Sequence, residues 1–169
     1  MKTMIKLLLI SILILSTQKG VAQTSAGSEK IIPKWKLSDL ENAILKADKP
    51  TIFNFWATFC RPCIEEIPYF QEVVKNYNEK GVELVLVSLD MPELYPERIQ
   101  SFVNKFKFTA NVVYLDETNA DLFCPVVDLS WSGAIPASLF VNNKTGYRNF
   151  FEDQLTKQQL TEEIEKMIK

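Results

Sequence analysis

Apolar residues fall along this chain in two alternating patterns, short continuous runs and helical stripes. Thr51 to Trp56 is apolar but for Asn54, and Val82 to Leu89 and Asn111 to Leu115 are further short runs rich in apolar residues. Such runs predict strands buried on both faces of a sheet. Between the first two, Cys63, Ile67, Phe70, Val74 and Tyr77 step by four and three. That spacing predicts one face of an amphipathic helix over Pro62 to Lys80, with Pro62 in its first turn, Gly81 ending it and Pro68 bending it. Ile99, Phe102, Val103 and Phe106 mark another helix, and Asn119 to about Val127 a short one. Upstream, Ser38 and Glu41 have the form of a capping box, opening a helix through Leu40, Ala43, Ile44 and Ala47 that ends near Lys49-Pro50.

After a loop from Asp128 to Ile135, Ala137 to Val141 and Tyr147 to Phe151 flank the turn sequence Asn142-Asn143-Lys144-Thr145-Gly146, which predicts a hairpin. The last helix begins with Thr156 as N-cap and Gln159 three residues on, Leu155 and Leu160 form a staple, and Leu160, Ile164 and Met167 lie on the buried face. Strands alternating with helices, followed by a hairpin and a helix, predict a single layered α/β domain with its central sheet covered on both sides.

The N-terminus reads differently. Lys2 and Lys6 precede an apolar run from Leu7 to Leu15 broken by Ser11, and Gly20-Val21-Ala22 offers small residues for cleavage. The run falls short of the about 20 apolar residues a permanent span needs, so residues 1–22 read as a secretory signal peptide cut after Ala22, with an uncleaved anchor as the alternative. Residues 23–31 read as a flexible leader and 32–169 as the domain. Loss of Lys2, Lys6 and Lys19 takes the net charge from −2 to −5. A mildly acidic product without a basic stretch is a poor nucleic-acid binder.

The chain contains no histidine and three cysteines. The first fact removes Ser-His-Asp and Cys-His nucleophile pairs, HExxH metal sites and the usual zinc enzymes. Export, by contrast, would put the cysteines where disulfides persist. In Trp56-Ala57-Thr58-Phe59-Cys60-Arg61-Pro62-Cys63 a buried strand gives way to a helix, so Cys60 falls at the helix N-terminus, where free N–H groups and the helix dipole stabilise a thiolate. Arg61 adds a cation. Cys63, one turn later on the apolar face, is the more buried thiol. This asymmetry suits thiol–disulfide exchange, in which Cys60 attacks a partner disulfide and Cys63 resolves the mixed disulfide. With no histidine to manage protons, Glu66 on the flank of the buried face is the candidate acid–base group, because burial raises a carboxyl pKa. Glu65 should face solvent.

The stretch from Asn54 to Pro68 (NFWATFCRPCIEEIP) resembles the active-site segment of TlpA/ResA-like thiol-disulfide oxidoreductases of the thioredoxin superfamily, and Ser132 to Val141 (SGAIPASLFV) resembles their second signature. The resemblance covers about residues 32–169. It implies a thioredoxin-like fold with a helix and strand inserted at about residues 95–115. It also implies Cys60 as attacking thiol, Cys63 as resolving thiol, Glu66 as the active-site glutamate, and a cis Pro136 that presents the backbone of Ile135 to an extended partner segment. Ile135 and Pro136 are then expected at the substrate groove, and Trp56 is read as core or as a wall of that groove. Asn54 stands where plain thioredoxins keep a buried aspartate. Phe59 replaces a frequent Trp, and Ala137-Ser138 a frequent Thr-Thr, both beside the groove.

These features lead to the expectation of a periplasmic or otherwise extracytoplasmic, monomeric enzyme that reduces specific protein disulfides and draws electrons from a membrane thiol donor, with no cofactor and no metal. The alternatives are a disulfide oxidase or isomerase, and a redox-inert peptide-binding module. A second CxxC for a four-thiolate zinc site is missing. Peroxide reduction on a related fold needs a threonine three residues before the reactive cysteine and a proline four earlier still, places held here by Ala57 and Phe53. Cys124 reads as a small buried hydrophobe, or else as a thiol free to pair with another chain, and Trp131 as core or groove wall.

Overall fold

The computed structural model describes residues 31–169. The signal-peptide reading of residues 1–22 lies outside the described residues, as does all of the leader except Ile31, which is exposed. The chain enters the core at Ile32. Among the described residues no helix is long and apolar enough to cross a membrane.

The elements follow in the order β1 (Lys34–Trp35), α1 (Leu37–Leu45), β2 (Thr51–Trp56), α2 (Arg61–Lys75), β3 (Glu83–Ser88), α3 (Glu97–Phe106), β4 (Asn111–Leu115), α4 (Ala120–Val127), β5 (Ala137–Asn142), β6 (Tyr147–Phe151) and α5 (Lys157–Met167). They build a six-stranded mixed sheet in the order β1-β4-β3-β2-β5-β6. β1, β4, β3 and β2 run parallel. β5 is antiparallel to β2 and to β6. Side chains alternate across the sheet. Ile52, Trp56, Leu86, Tyr114 and Phe140 face α2, α3 and α5. Phe53, Phe55, Val87, Leu115 and Leu139 face α1 and α4. This is the layered α/β arrangement expected from the sequence, with α3 and β4 in the place of the expected insertion.

The boundaries differ in places for local reasons. Helix α1 starts after Lys36, not Ser38, because Trp35 is held against β4 as the last residue of β1, and the Asp39 carboxylate accepts the Lys36 N–H at 2.8 Å. It stops at Leu45, where the side-chain amide of Asn143 in the β5–β6 turn donates to the carbonyls of Ile44, Leu45 and Ala47 at 3.0–3.1 Å. Helix α2 ends at Lys75 rather than Lys80. The remainder tightens into a 3-10 turn at Asn78–Lys80, and Gly81 closes it with φ +74°, a left-handed conformation. The short strand β1 and the 3-10 turn Pro92–Leu94 carry no periodicity that the sequence could announce. The box of Thr156 and Gln159 opens α5 as expected.

Because β5 runs against β2, the loops after β2, β3, β4 and β6 and the loop before β5 gather at one end of the sheet. The segments 89–96, 116–119, 128–136 and 152–155 at this end carry Asp90, Glu93, Asp116, Glu117, Asp128, Glu152 and Asp153 and neither lysine nor arginine, against Lys36 after β1 and Arg61 at the start of α2. At the other end, the connections 46–50, 76–82, 107–110 and 143–146 carry Lys46, Lys49, Lys80, Lys107 and Lys144 against Asp48 and Glu79. Both cysteines of the CxxC lie at the acidic end.

Candidate functional site

The β2 strand delivers the chain to a turn closed by the Cys60 N–H donating to the Ala57 carbonyl at 3.0 Å. Cys60 is the N-cap of α2, with extended backbone (φ −84°, ψ 96°), and its Sγ accepts the Cys63 N–H at 3.3 Å. Pro62 follows in the first turn, where its missing N–H costs nothing. The two cysteines are joined in a disulfide with Cα atoms 5.3 Å apart. Cys60 is 6% exposed and Cys63 fully buried. Phe59, beside them, is 70% exposed, so the pair sits just under a projecting aromatic ring. The Arg61 cation turns along the helix to pair with Glu65, Nε to Oε1 at 2.8 Å, and Glu65 is on the solvent side as expected.

Three residues after Cys63 on the same helix, Glu66 is completely buried. Asn54 Nδ2 donates to its Oε1 at 2.7 Å and to Ser138 Oγ at 3.0 Å. Asn54 and Ser138 are paired across β2 and β5, a buried polar pair among the apolar side chains of that face. Glu66 Oε2 and Asn54 Oδ1 have no partner of normal hydrogen-bond geometry. Burial pushes the Glu66 carboxyl up to about 7, against the Asn54 bond and the backbone of Leu155, which pull it down. A carboxyl group of that pKa exchanges its proton near neutrality.

The Ile135–Pro136 peptide is cis, and so is Tyr95–Pro96, which the sequence reading did not anticipate. Pro136 is buried and Ile135 partly exposed, packed against both halves of the core. The loop before them is held by Glu152, whose carboxylate accepts the N–H groups of Ser132 and Ala134 at 2.9–3.1 Å and the Ser132 hydroxyl. These bonds hold the Glu152 carboxyl below its ordinary range. Gln154 Nε2 reaches the Pro62 carbonyl at 3.2 Å, tying the same segment to the start of α2.

Of the two readings of Trp56, core or groove wall, the structure shows the core. It is fully buried against Phe102 and Phe108, 5.8 and 5.2 Å between ring centroids, because its alternation in β2 points it under α3. Trp131 is likewise a wall of the core, packed on Phe55, Phe123 and Phe150. Cys124 is buried, with its thiol pKa raised by burial. Gly133 passes close to it with φ +94°, and a Cβ there would stand 3.7 Å from Cys124 Sγ. Glu152 and the pair Thr58–Asp90 were not singled out from the sequence. An acid just past a strand reads as solvated until its partner is seen.

The chain matches the AhpC/TSA family over residues 23–145. It is 36% identical over 121 residues to the thiol-disulfide oxidoreductase ResA of Oceanobacillus iheyensis, a match covering 72% of this chain and 55% of that protein. The ResA of Geobacillus thermodenitrificans is 26% identical over 171 residues, covering 98% and 93%. The crystal structure of StoA from Bacillus subtilis superposes with a TM-score of 0.53 at 29% identity, covering 68% of this chain and 81% of StoA. The chain therefore belongs to the AhpC/TSA family, as a thioredoxin-fold redox enzyme similar to the ResA thiol-disulfide oxidoreductases.

Proposed function

We propose that this protein reduces specific protein disulfides outside the cytoplasm through the Cys60–Cys63 dithiol. The observation that carries the proposal is the placement of Cys60 as the N-cap of α2, its sulfur facing the Cys63 N–H, with Glu66 buried on the same helix three residues after Cys63. In the reduced protein the Cys60 thiolate attacks one sulfur of the partner disulfide. The new S–S bond joins Cys60 to the partner, and the partner's other sulfur leaves as a thiolate. Cys63, having passed its proton to Glu66, then attacks Cys60. The protein disulfide re-forms, the partner leaves with both sulfurs reduced, and two electrons have moved. The partner segment lies beside the backbone of Ile135, held ready by Pro136 and Glu152, in the manner of an added strand.

The reading further includes export by a signal peptide comprising residues 1–22, a single domain over 32–169, action as a monomer and, as the family resemblance implies, re-reduction by a thiol donor at the membrane. Catalytic roles fall to Cys60, Cys63 and Glu66. Ala57 and Phe53 are both buried and apolar, so the positions that peroxide reduction would use hold no hydroxyl and no proline.

Cys63→Ser tests the mechanism. With resolution blocked, a mixed disulfide through Cys60 should accumulate in cells and survive acid quenching, and its partner identifies the substrate. A folded, exported variant that yields no mixed disulfide would sink the exchange mechanism. Glu66→Gln is expected to slow resolution at neutral pH with the fold intact. Rates unchanged from pH 5 to 9 would leave Glu66 without an acid–base role.

A further inference from the structure

The β2–β3 ladder ends at the pair Trp56–Ser88, with the Leu89 N–H donating to the Trp56 carbonyl at 2.8 Å. Beyond it the chain leaves the sheet to form the turn Ala57 to Cys60, and a side chain takes over from the ladder. Asp90, 1% exposed, accepts the Thr58 N–H on both carboxylate oxygens, at 3.0 and 3.1 Å, and the Thr58 hydroxyl on Oδ1 at 2.6 Å. The Ser88 hydroxyl donates to Oδ2 at 2.8 Å. A buried charge is retained only where such donors satisfy it. All of them but Ser88 belong to the turn that presents Cys60.

We infer that Asp90, acting through Thr58, is a positioning element for the attacking thiol, fixing the Ala57–Cys60 turn so that the Cys60 sulfur stays over the free N–H groups of α2. The inference rests on the reading of Cys60 as the nucleophile. A thiolate at a helix N-terminus gains from the N–H groups only while its sulfur lies on them. The turn has one internal hydrogen bond, Cys60 N–H to Ala57, and is otherwise tied to Asp90, just past β3, by the Thr58 N–H and hydroxyl; loss of the hydroxyl, the shortest of these bonds, loosens that tie and lets the turn tilt. Losing the Thr58 hydroxyl also leaves the Asp90 charge less satisfied. Both consequences disfavour a second negative charge at Cys60. The other charged or titratable groups around this corner include the Cys63 thiol of the reduced protein, Glu66 on α2, the Arg61–Glu65 pair, and, beyond Asp90, Tyr114, Tyr95, Glu93 and Asp116 with Lys34, which pairs with Asp116 at 3.2 Å and lies over both tyrosine rings. Thr58→Val changes none of them.

The test is the pH dependence of iodoacetamide alkylation at Cys60 in the fully reduced protein, with the modified cysteine identified by mass. This reading needs no partner disulfide, so it stands apart from whether the protein reduces proteins in the cell. For Thr58→Val the alkylation midpoint should rise by about one pH unit, which is about tenfold less thiolate at pH well below the midpoint. Thr58→Ser, which restores the hydroxyl, should return it to the wild-type value. A merely structural role would lower the melting temperature and leave the midpoint in place. Thr58→Ala, which keeps the backbone bonds to Asp90 and has no branched side chain to pack, is read the same way should the valine variant fold poorly. A wild-type midpoint in a folded Thr58→Val or Thr58→Ala protein overturns the inference.

Discussion

At Glu66 the protein holds a carboxyl group under the first turns of α2 with one side-chain donor, Asn54, within reach. Its pKa of about 7 stands above the ordinary value of 4.5, so the folded protein keeps a proton that the unfolded chain releases between those two pH values. Stability should therefore fall as pH rises from about 4.5 to about 7 and be level above that, a loss of about 3 kcal/mol at most. Glu66→Gln removes the slope. Urea unfolding of the oxidised proteins should find the variant the more stable at pH 8 and close to wild type at pH 4. A wild-type stability that does not fall between pH 4 and pH 8 would contradict the burial of a titrating carboxyl. The same residue illustrates what the sequence could offer. Its place on the flank of the apolar stripe was legible, but the partner that orients it, Asn54, lies on the strand β2. The contact exists only because α2 packs on the face of the sheet from which Asn54 projects.

Elements were legible where their own residues define them. The strands β2 and β4 and the box at Thr156 depend on nearest neighbours along the chain, and they fall as expected. Helix α1 depends on something distant. Ser38 and Glu41 satisfy the local pattern better than Lys36 and Asp39, since a lysine side chain accepts no hydrogen bond, and what decides is the pairing of Trp35 with Leu115. Its C-terminus is likewise set from afar by Asn143. Helix termini leave carbonyls without partners, and here one side-chain amide serves three of them. Asn143→Ala should cost about 1 kcal/mol in urea unfolding and leave the rate of disulfide exchange unchanged, since the turn lies at the opposite end of the sheet from Cys60. A variant of wild-type stability would show that water replaces the amide at no cost. Between core and groove wall, the position of Trp56 is decided by the fold for a related reason. Its neighbourhood in sequence is the active-site segment, but the alternation of β2 sends its ring into the core under α3.

For the molecule as a whole, the redox state is also a state of cross-linking. The disulfide spans a sequence separation of only 3, so closing it removes little freedom from the unfolded chain, about 2 kcal/mol on the loop-entropy estimate. The oxidised protein should accordingly unfold at a higher urea concentration than the reduced one, with the same slope; a reduced protein of equal or greater stability would mean that native interactions of the free thiols outweigh the cross-link. The division of charge between the two ends of the sheet bears on a different setting. A body with acids gathered at one pole and lysines at the other has a permanent dipole along its strands, and a charged surface turns it. On a cationic electrode at low ionic strength the protein should adsorb with its cysteines toward the metal, and on an anionic one with them toward solution, so that voltammetric reduction of the disulfide is seen on the first surface and is weak on the second.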